Sequence, residues 1–146
     1  MDLLEAKNAA LSYLKTSNAE IMKWFRADIA VEFKSDQSPV TVADRKAEEI
    51  LRKKISRSYP DHGIIGEEFG EGKSKAEWVW TIDPIDGTRS FIRGLPLFAS
   101  LIVLHRKPAS RAWVRGNMCF VKNLQEETLK ILRLCVNLKK PATAKN

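Results

Sequence analysis

Residues 80–94 read WTIDPIDGTRSFIRG. Two aspartates, Asp83 and Asp86, stand three apart at the end of an apolar run, and a Gly-Thr pair follows the second. The run itself, "WVWTIDP", is short, aromatic and β-branched, and it is bounded by charge and proline, which predicts a buried strand. Pro84 stiffens the link between the aspartates, and Gly87 permits a sharp turn. Thr88 then stands where a short helix over "RSFIR" begins. A helix start presents unpaired N–H groups to an anion, so Gly87 and Thr88 are candidate phosphate contacts beside two carboxylates.

Upstream, "GIIGEE" is a second short apolar strand ending in Glu67 and Glu68. Adjacent strands would bring Glu67, Glu68, Asp83 and Asp86 within one ion's reach. Crowded carboxylates repel one another and raise each other's pKa unless a cation neutralises them. Mg²⁺ is the expected cation, because it takes hard oxygen ligands, keeps several waters and completes its octahedron with substrate phosphate.

Two helices are predicted before these strands. From Asp2 to about Asp28 the residues Leu4, Leu11, Leu14, Ile21 and Phe25 recur at helical spacings. "FKSDQSPVT" reads as a turn or short hairpin. A second helix begins near Thr41, with Ala43, Ala47, Ile50, Leu51 and Ile55 on one face, and "YPDHG" closes it. Downstream, "PLFASLIVLHR" has Ser100 as its only polar residue between Leu97 and Leu104, the texture of a strand covered on both faces. Helix, helix, then strands predicts helices packed on a sheet.

Taken singly, these residues have simpler uses. Thr41 and Asp44 fit a capping box, Asp86-Gly87 is a common turn pair, and Glu67 with Glu68 fits an exposed strand end. His62 and His105 read as loop and strand-end residues, and Trp78 and Trp80 alternate as core-facing strand residues do. The combination is what points to a site.

Composition sets the outer bounds. The chain has 146 residues, 44% of them hydrophobic, and no run approaches a membrane span. With no basic and apolar leader at the N-terminus, it is expected to be a soluble cytoplasmic protein. The net charge of +7 is local: residues 1–104 carry 15 Lys and Arg against 16 Asp and Glu, while residues 105–146 carry 10 against 2. Basicity confined to a tail argues against a nucleic-acid surface spread over the fold. Cys119 and Cys135 lie in the same tail, without CxxC spacing, and read as free thiols. The expected organisation is therefore a domain over residues 1–107 and a divergent basic tail over 108–146, in which Leu124, Ile131, Cys135 and Leu138 mark one amphipathic helix.

"GIIGEE" followed by "WTIDPIDGTRSFIRGLPLF", with "SPVTVADRKAEE" before them, resembles the inositol monophosphatase family of Mg²⁺-dependent, Li⁺-sensitive phosphatases over roughly residues 2–104. Within it, "DGTRSFIRGLPLF" looks closest to the histidinol-phosphate phosphatase branch. The resemblance implies an α+β fold with helices layered on a mixed, largely antiparallel sheet. It also implies hydrolysis of a small phosphate monoester by two-metal activation of water; a homo-oligomer, as a dimer, is expected because a sheet edge and apolar face would need cover. Residue by residue, Glu67, Asp83 and the Ile85 carbonyl would hold a first Mg²⁺, and Asp83 with Asp86 would hold a second. Asp44, Thr88 and Glu67 would carry the catalysis, Asp44 and Thr88 by orienting and deprotonating water. Gly87 and Thr88 would meet the phosphate, and Glu68 would act from behind the ligands.

Family members supply a further aspartate to the second metal from a Trp-Asp pair, and none of Trp24, Trp78, Trp80 and Trp113 is followed by Asp. The sequence therefore implies impaired turnover, or alternatively an inactive fragment that pairs with a full-length relative. The aspartyl-phosphate route is set aside, because Pro84 stands where it needs an aspartate two residues before Asp86.

Overall fold

The structure, a computed structural model, describes residues 2–73 and 75–106. The predicted basic tail and its amphipathic helix, with the boundary at residue 107, lie outside the described residues. The elements run α1 (Leu3–Trp24), β1 (Val31–Phe33), β2 (Pro39–Thr41), α2 (Val42–Ser58), β3 (Gly63–Gly66), β4 (Gly70–Glu71), β5 (Trp78–Asp86), α3 (Thr88–Ile92) and β6 (Ala99–Arg106).

The α1 helix starts where Asp2 accepts the Leu4 N–H at 2.8 Å, satisfying one of the donors left over at a helix start. It ends at Trp24, four residues earlier than the spacing predicts. Phe25 is extended and Arg26 takes a left-handed conformation (φ 65°), and Arg26 Nε donates to the Gly94 carbonyl at 3.1 Å. The buried stripe also differs from the expected one: Ala6, Ala10, Tyr13, Leu14, Ser17, Asn18 and Ile21 face inward, while Leu4 is 63% exposed. Small residues on that stripe let the helix approach its neighbours closely, and Ser17 Oγ donates to the Ala47 carbonyl of α2 at 3.3 Å.

The second helix follows its pattern. Ala43, Ala47, Leu51 and Ile55 are fully buried, with Ile50 beside them half-buried. The preceding hairpin is present, with β1 and β2 pairing antiparallel from Val31–Thr41 to Phe33–Pro39.

The main sheet has the order β4-β3-β5-β6. The β3–β5 pair is parallel, and the β3–β4 and β5–β6 pairs are antiparallel, so the sheet is mixed and largely antiparallel as expected. Its inner face meets α1 and α2 in a core of Ala10, Leu14, Leu51, Ile55, Ile64, Trp80, Ile82, Ile102 and Leu104. A second cluster, Ile21, Ala43, Ala47, Ile85 and Phe91, with Phe25 and Phe98 against it, anchors α3 beneath the end of β5. Trp80 is wholly buried, and its indole N–H donates to His62 Nδ1 at 3.0 Å.

The expectation that both faces of the last strand are covered is corrected. Along β6 burial alternates, with Ser100, Ile102 and Leu104 inward and Leu101 and Val103 half-buried. Only one face of an antiparallel pair needs a packed partner, and β5–β6 is antiparallel. Ser100 suits its inward place because its hydroxyl bonds Asn18 Oδ1 (2.7 Å) and the Pro84 carbonyl (2.6 Å), tying α1 to both strands. No helix among the described residues is long and apolar enough to cross a membrane.

Candidate functional site

The ends of β3 and β5 and the starts of α2 and α3 converge on one region. The strand β3 stops at Gly66, so Glu67 and Glu68 sit in the turn to β4 rather than at a strand end. The parallel register pairs Gly66 with Ile82, which places that turn beside Asp83. The ladder between β5 and β6 is irregular between Asp83 and Asp86; Asp83 accepts the Ile85 N–H at 3.2 Å, turning the backbone locally around its own side chain.

Asp83 is strongly perturbed. Burial first, then the charge of Glu67 and a hydrogen bond with it, and the charge of Asp86 push its carboxyl up to about 9, against the Ile85 N–H that favours the anion. The crowded carboxyls around Asp83 therefore favour holding a proton between them at neutral pH.

Asp44 takes the capping role open to it in the sequence and also reaches Thr88. As the third residue of α2 it completes the capping box: its Oδ2 accepts from the Thr41 N–H (2.8 Å) and hydroxyl (2.6 Å). Its other oxygen, Oδ1, lies 3.2 Å from Thr88 Oγ1. Burial raises the Asp44 pKa, with the Thr41 and Thr88 bonds opposing. Thr88 Oγ1 is also 3.0 Å from the Ile85 carbonyl, so one hydroxyl links α2 to the end of β5.

Gly87 caps α3 at φ 97°. A Cβ there would stand 2.9 Å from the Leu97 carbonyl, so both the conformation and the space call for glycine.

Lys34, which the sequence reading passed over, enters from the hairpin. Its Nζ lies 3.2 Å from Glu67 Oε1 and 2.8 Å from Glu68 Oε1. Burial works against its charge, but the hydrogen bonds and charges of Glu68 and Glu67 outweigh that and raise its pKa. Glu68 is raised mainly by burial, with Lys34 opposing. Hairpin position is further fixed by Arg45, whose guanidinium bonds both Glu32 oxygens (2.9 and 2.6 Å), and by Arg89 on the Gln37 carbonyl (3.2 Å).

The four carboxylates expected around one ion are thus only partly brought together. Glu67, Asp83 and Asp86 are near enough to perturb Asp83, while Glu68 turns to Lys34. Among the described residues no three His, Cys, Asp or Glu side chains form a ready-made metal-binding group. The donor set nonetheless suits Mg²⁺: three carboxylates and a backbone carbonyl are all hard oxygens. The proton that Asp83 is forced to hold and the ammonium beside Glu67 mark where positive charge is wanted.

The model of the inositol monophosphatase family matches residues 2–109. This chain belongs to the inositol monophosphatase family. It is 49% identical over 89 residues to a histidinol-phosphatase of Chlorobaculum parvum, covering 61% of this chain and 34% of that protein. To an inositol-1-monophosphatase of Rhizobium meliloti it is 38% identical over 81 residues, covering 55% of this chain and 30% of that protein. Among solved structures, an inositol monophosphatase from Zymomonas mobilis superposes with a TM-score of 0.60 at 37% identity, over 73% of this chain and 40% of the other. The chain spans about a third of the length of the curated relatives it matches. The α+β architecture read from the sequence is the architecture of this family's solved members.

Proposed function

We propose that this chain carries the metal-binding and water-activating side of a site that hydrolyses a phosphate monoester. The observation that carries this reading is the meeting of a crowded carboxyl group and a carboxyl–hydroxyl contact at one strand end. Burial first, then Glu67 and Asp86, raise the Asp83 pKa, and Asp44 is linked to Thr88 across 3.2 Å.

Glu67, Asp83 and the Ile85 carbonyl would hold one Mg²⁺, and Asp83 with Asp86 a second, Asp83 serving both. Mg²⁺ held by these residues would supply acidification of the attacking water and neutralisation of the charge on the phosphate and the leaving oxygen. The residues of the chain supply the rest. Thr88 Oγ1 accepts the proton of the attacking water while its own proton passes to Asp44, whose Oδ1 is already its neighbour. Water oxygen forms the new bond to phosphorus, the P–O ester bond breaks, and the alcohol departs with a proton from solvent. The backbone N–H groups of Gly87 and Thr88, at the start of α3, would meet the phosphate oxygens and orient the substrate. Glu68 holds Lys34 in place beside the ligands.

The substrate favoured is histidinol phosphate over inositol monophosphate. This rests on the higher identity to the histidinol-phosphatase than to the inositol-1-monophosphatase. The 146 residues contain no Trp-Asp pair, so within them the second ion would have only Asp83 and Asp86 as carboxylate ligands, and slow turnover is expected of these residues alone. The test is phosphate release from histidinol phosphate by the purified chain. Slow release that requires Mg²⁺ and disappears in Asp86→Asn is expected; release that is indifferent to Mg²⁺ or to that substitution refutes the proposal.

A further inference from the structure

Behind the turn that carries Glu67 and Glu68 lies a carboxylate that takes no part in the scheme above. Glu48 stands one helical turn after Asp44 on α2, its side chain 0% exposed. Its Oε2 accepts the Glu68 N–H at 2.8 Å, and its Oε1 accepts the Phe69 N–H at 3.2 Å. Arg52, the next turn along, donates from Nε to Glu48 Oε1 at 2.7 Å, and its Nη2 bonds the Gly70 carbonyl. Two side chains of one helix therefore grip three consecutive residues, at the N–H groups of Glu68 and Phe69 and the carbonyl of Gly70.

The strand opposite is cut to admit them. A Cβ at Gly66 would fall 1.9 Å from Glu48 Oε1, 2.4 Å from its Cδ and 2.8 Å from Arg52 Nη2. Glycine at position 66 is what allows the carboxylate to reach the turn.

A buried ion pair is a poor source of stability, because removing both charges from water costs about as much as their attraction returns. It does confer direction, since charge-assisted bonds to N–H groups are short and geometrically specific. Lys34 holds the Glu67 and Glu68 side chains, but little else defines the backbone of the turn: β4 is two residues long, and Glu67, Phe69 and Gly70 are exposed. We propose that Glu48, braced by Arg52, is a positioning residue that fixes the Glu67–Glu68 turn for metal binding. The proposal rests on the site reading above. Glu48 is outside the ligand set; it acts by holding Glu67 within reach of Asp83 while Glu68 remains on Lys34.

The experiment is Mn²⁺ titration of the full chain by calorimetry, with the electron paramagnetic resonance of bound Mn²⁺ and circular dichroism on the same samples. Wild type, Asp83→Asn, Glu48→Gln, Glu48→Asp and Arg52→Lys are compared. Glu48→Gln keeps the shape but sets an amide NH₂ against a group that donates, and a loss of about 10- to 100-fold in Mn²⁺ affinity is expected, the usual range for groups behind a metal's ligands. Glu48→Asp, which keeps the charge, recovers part of it. Arg52→Lys, at the partly exposed end of the pair, shows a smaller loss and a broadened Mn²⁺ resonance. Wild-type affinity in Glu48→Gln with native circular dichroism overturns the proposal; should that variant not fold, wild-type affinity and resonance in Arg52→Lys overturn it. Absence of Mn²⁺ binding in wild type, or binding undiminished in Asp83→Asn, refutes the site itself and the positioning role with it.

Discussion

Raising the pH should tighten metal binding, and Asp83 sets the slope. Its carboxyl, ordinarily near 3.8, is carried to about 9 by burial and by Glu67 and Asp86. In the metal-free protein it is therefore protonated across the neutral range, and a cation that takes it as ligand must eject that proton. Below pH 9 each unit of pH then changes the apparent affinity by about tenfold, or about 1.4 kcal/mol. Between pH 6 and pH 8 the gain should approach about a hundredfold. The sign for stability follows from the same linkage. The raised folded pKa means the metal-free protein is best tolerated below the ordinary carboxyl range and loses stability as pH rises from about 4 towards about 9, and bound metal abolishes that loss. The assay is Mn²⁺ calorimetry at pH 6, 7 and 8 in buffers of different ionisation enthalpy, which counts protons released. Release of about one proton per first ion is expected. An affinity independent of pH, with no net proton release, refutes the assignment of Asp83.

Four further outcomes are expected. Asp83→Asn should lower Mn²⁺ affinity more than Glu68→Gln, because the former removes a ligand shared between ions and the latter a partner of Lys34; equal losses by titration would contradict this. Gly87→Ala should cost about 1 to 3 kcal/mol in a thermal melt, since alanine is strained at φ 97° and its Cβ meets the Leu97 carbonyl; an unchanged melting temperature would contradict it. Ser100→Ala should destabilise by about 1 to 3 kcal/mol through the buried acceptors Asn18 Oδ1 and Pro84 O that lose their donor, measured by urea denaturation. Deletion of residues 124–146 should leave Mn²⁺ affinity unchanged, because every proposed ligand lies between Glu67 and Asp86; loss of binding in a folded truncation would refute the ligand set.

What the sequence revealed follows from how local each signal is. The α2 helix announced its start through Thr41 and Asp44 and its buried face through Ala43, Ala47 and Leu51, all within a few turns. The strands β3 and β5 were marked by short apolar runs with carboxylates at their ends, and the tight turn at Gly87 by its Asp-Gly-Thr context. The end of α1 was misjudged because Phe25 and Arg26 carry no breaker; the stop comes from Arg26 reaching Gly94, 68 residues away. Strand β4 was missed because two residues, Gly70 and Glu71, leave no period to read. Lys34 was hidden by a separation of more than 30 residues from Glu67 and Glu68. Glu48 was not singled out in the sequence. Its spacing was a usable signal all the same: it follows Asp44 by four and Ala47 by one, on the stripe that ends in Leu51 and Ile55. A carboxylate on a buried stripe requires partners, and the Glu68 and Phe69 N–H groups and Arg52 are those partners.

The most direct test of the site is a crystal of the chain grown with MnCl₂ and inorganic phosphate, with anomalous diffraction collected at the manganese edge. The account predicts a peak between Glu67, Asp83 and the Ile85 carbonyl, phosphate against the Gly87 and Thr88 N–H groups, and Lys34 Nζ moved off Glu67 Oε1. A peak elsewhere, or none beside Asp83 at saturating Mn²⁺, would contradict it.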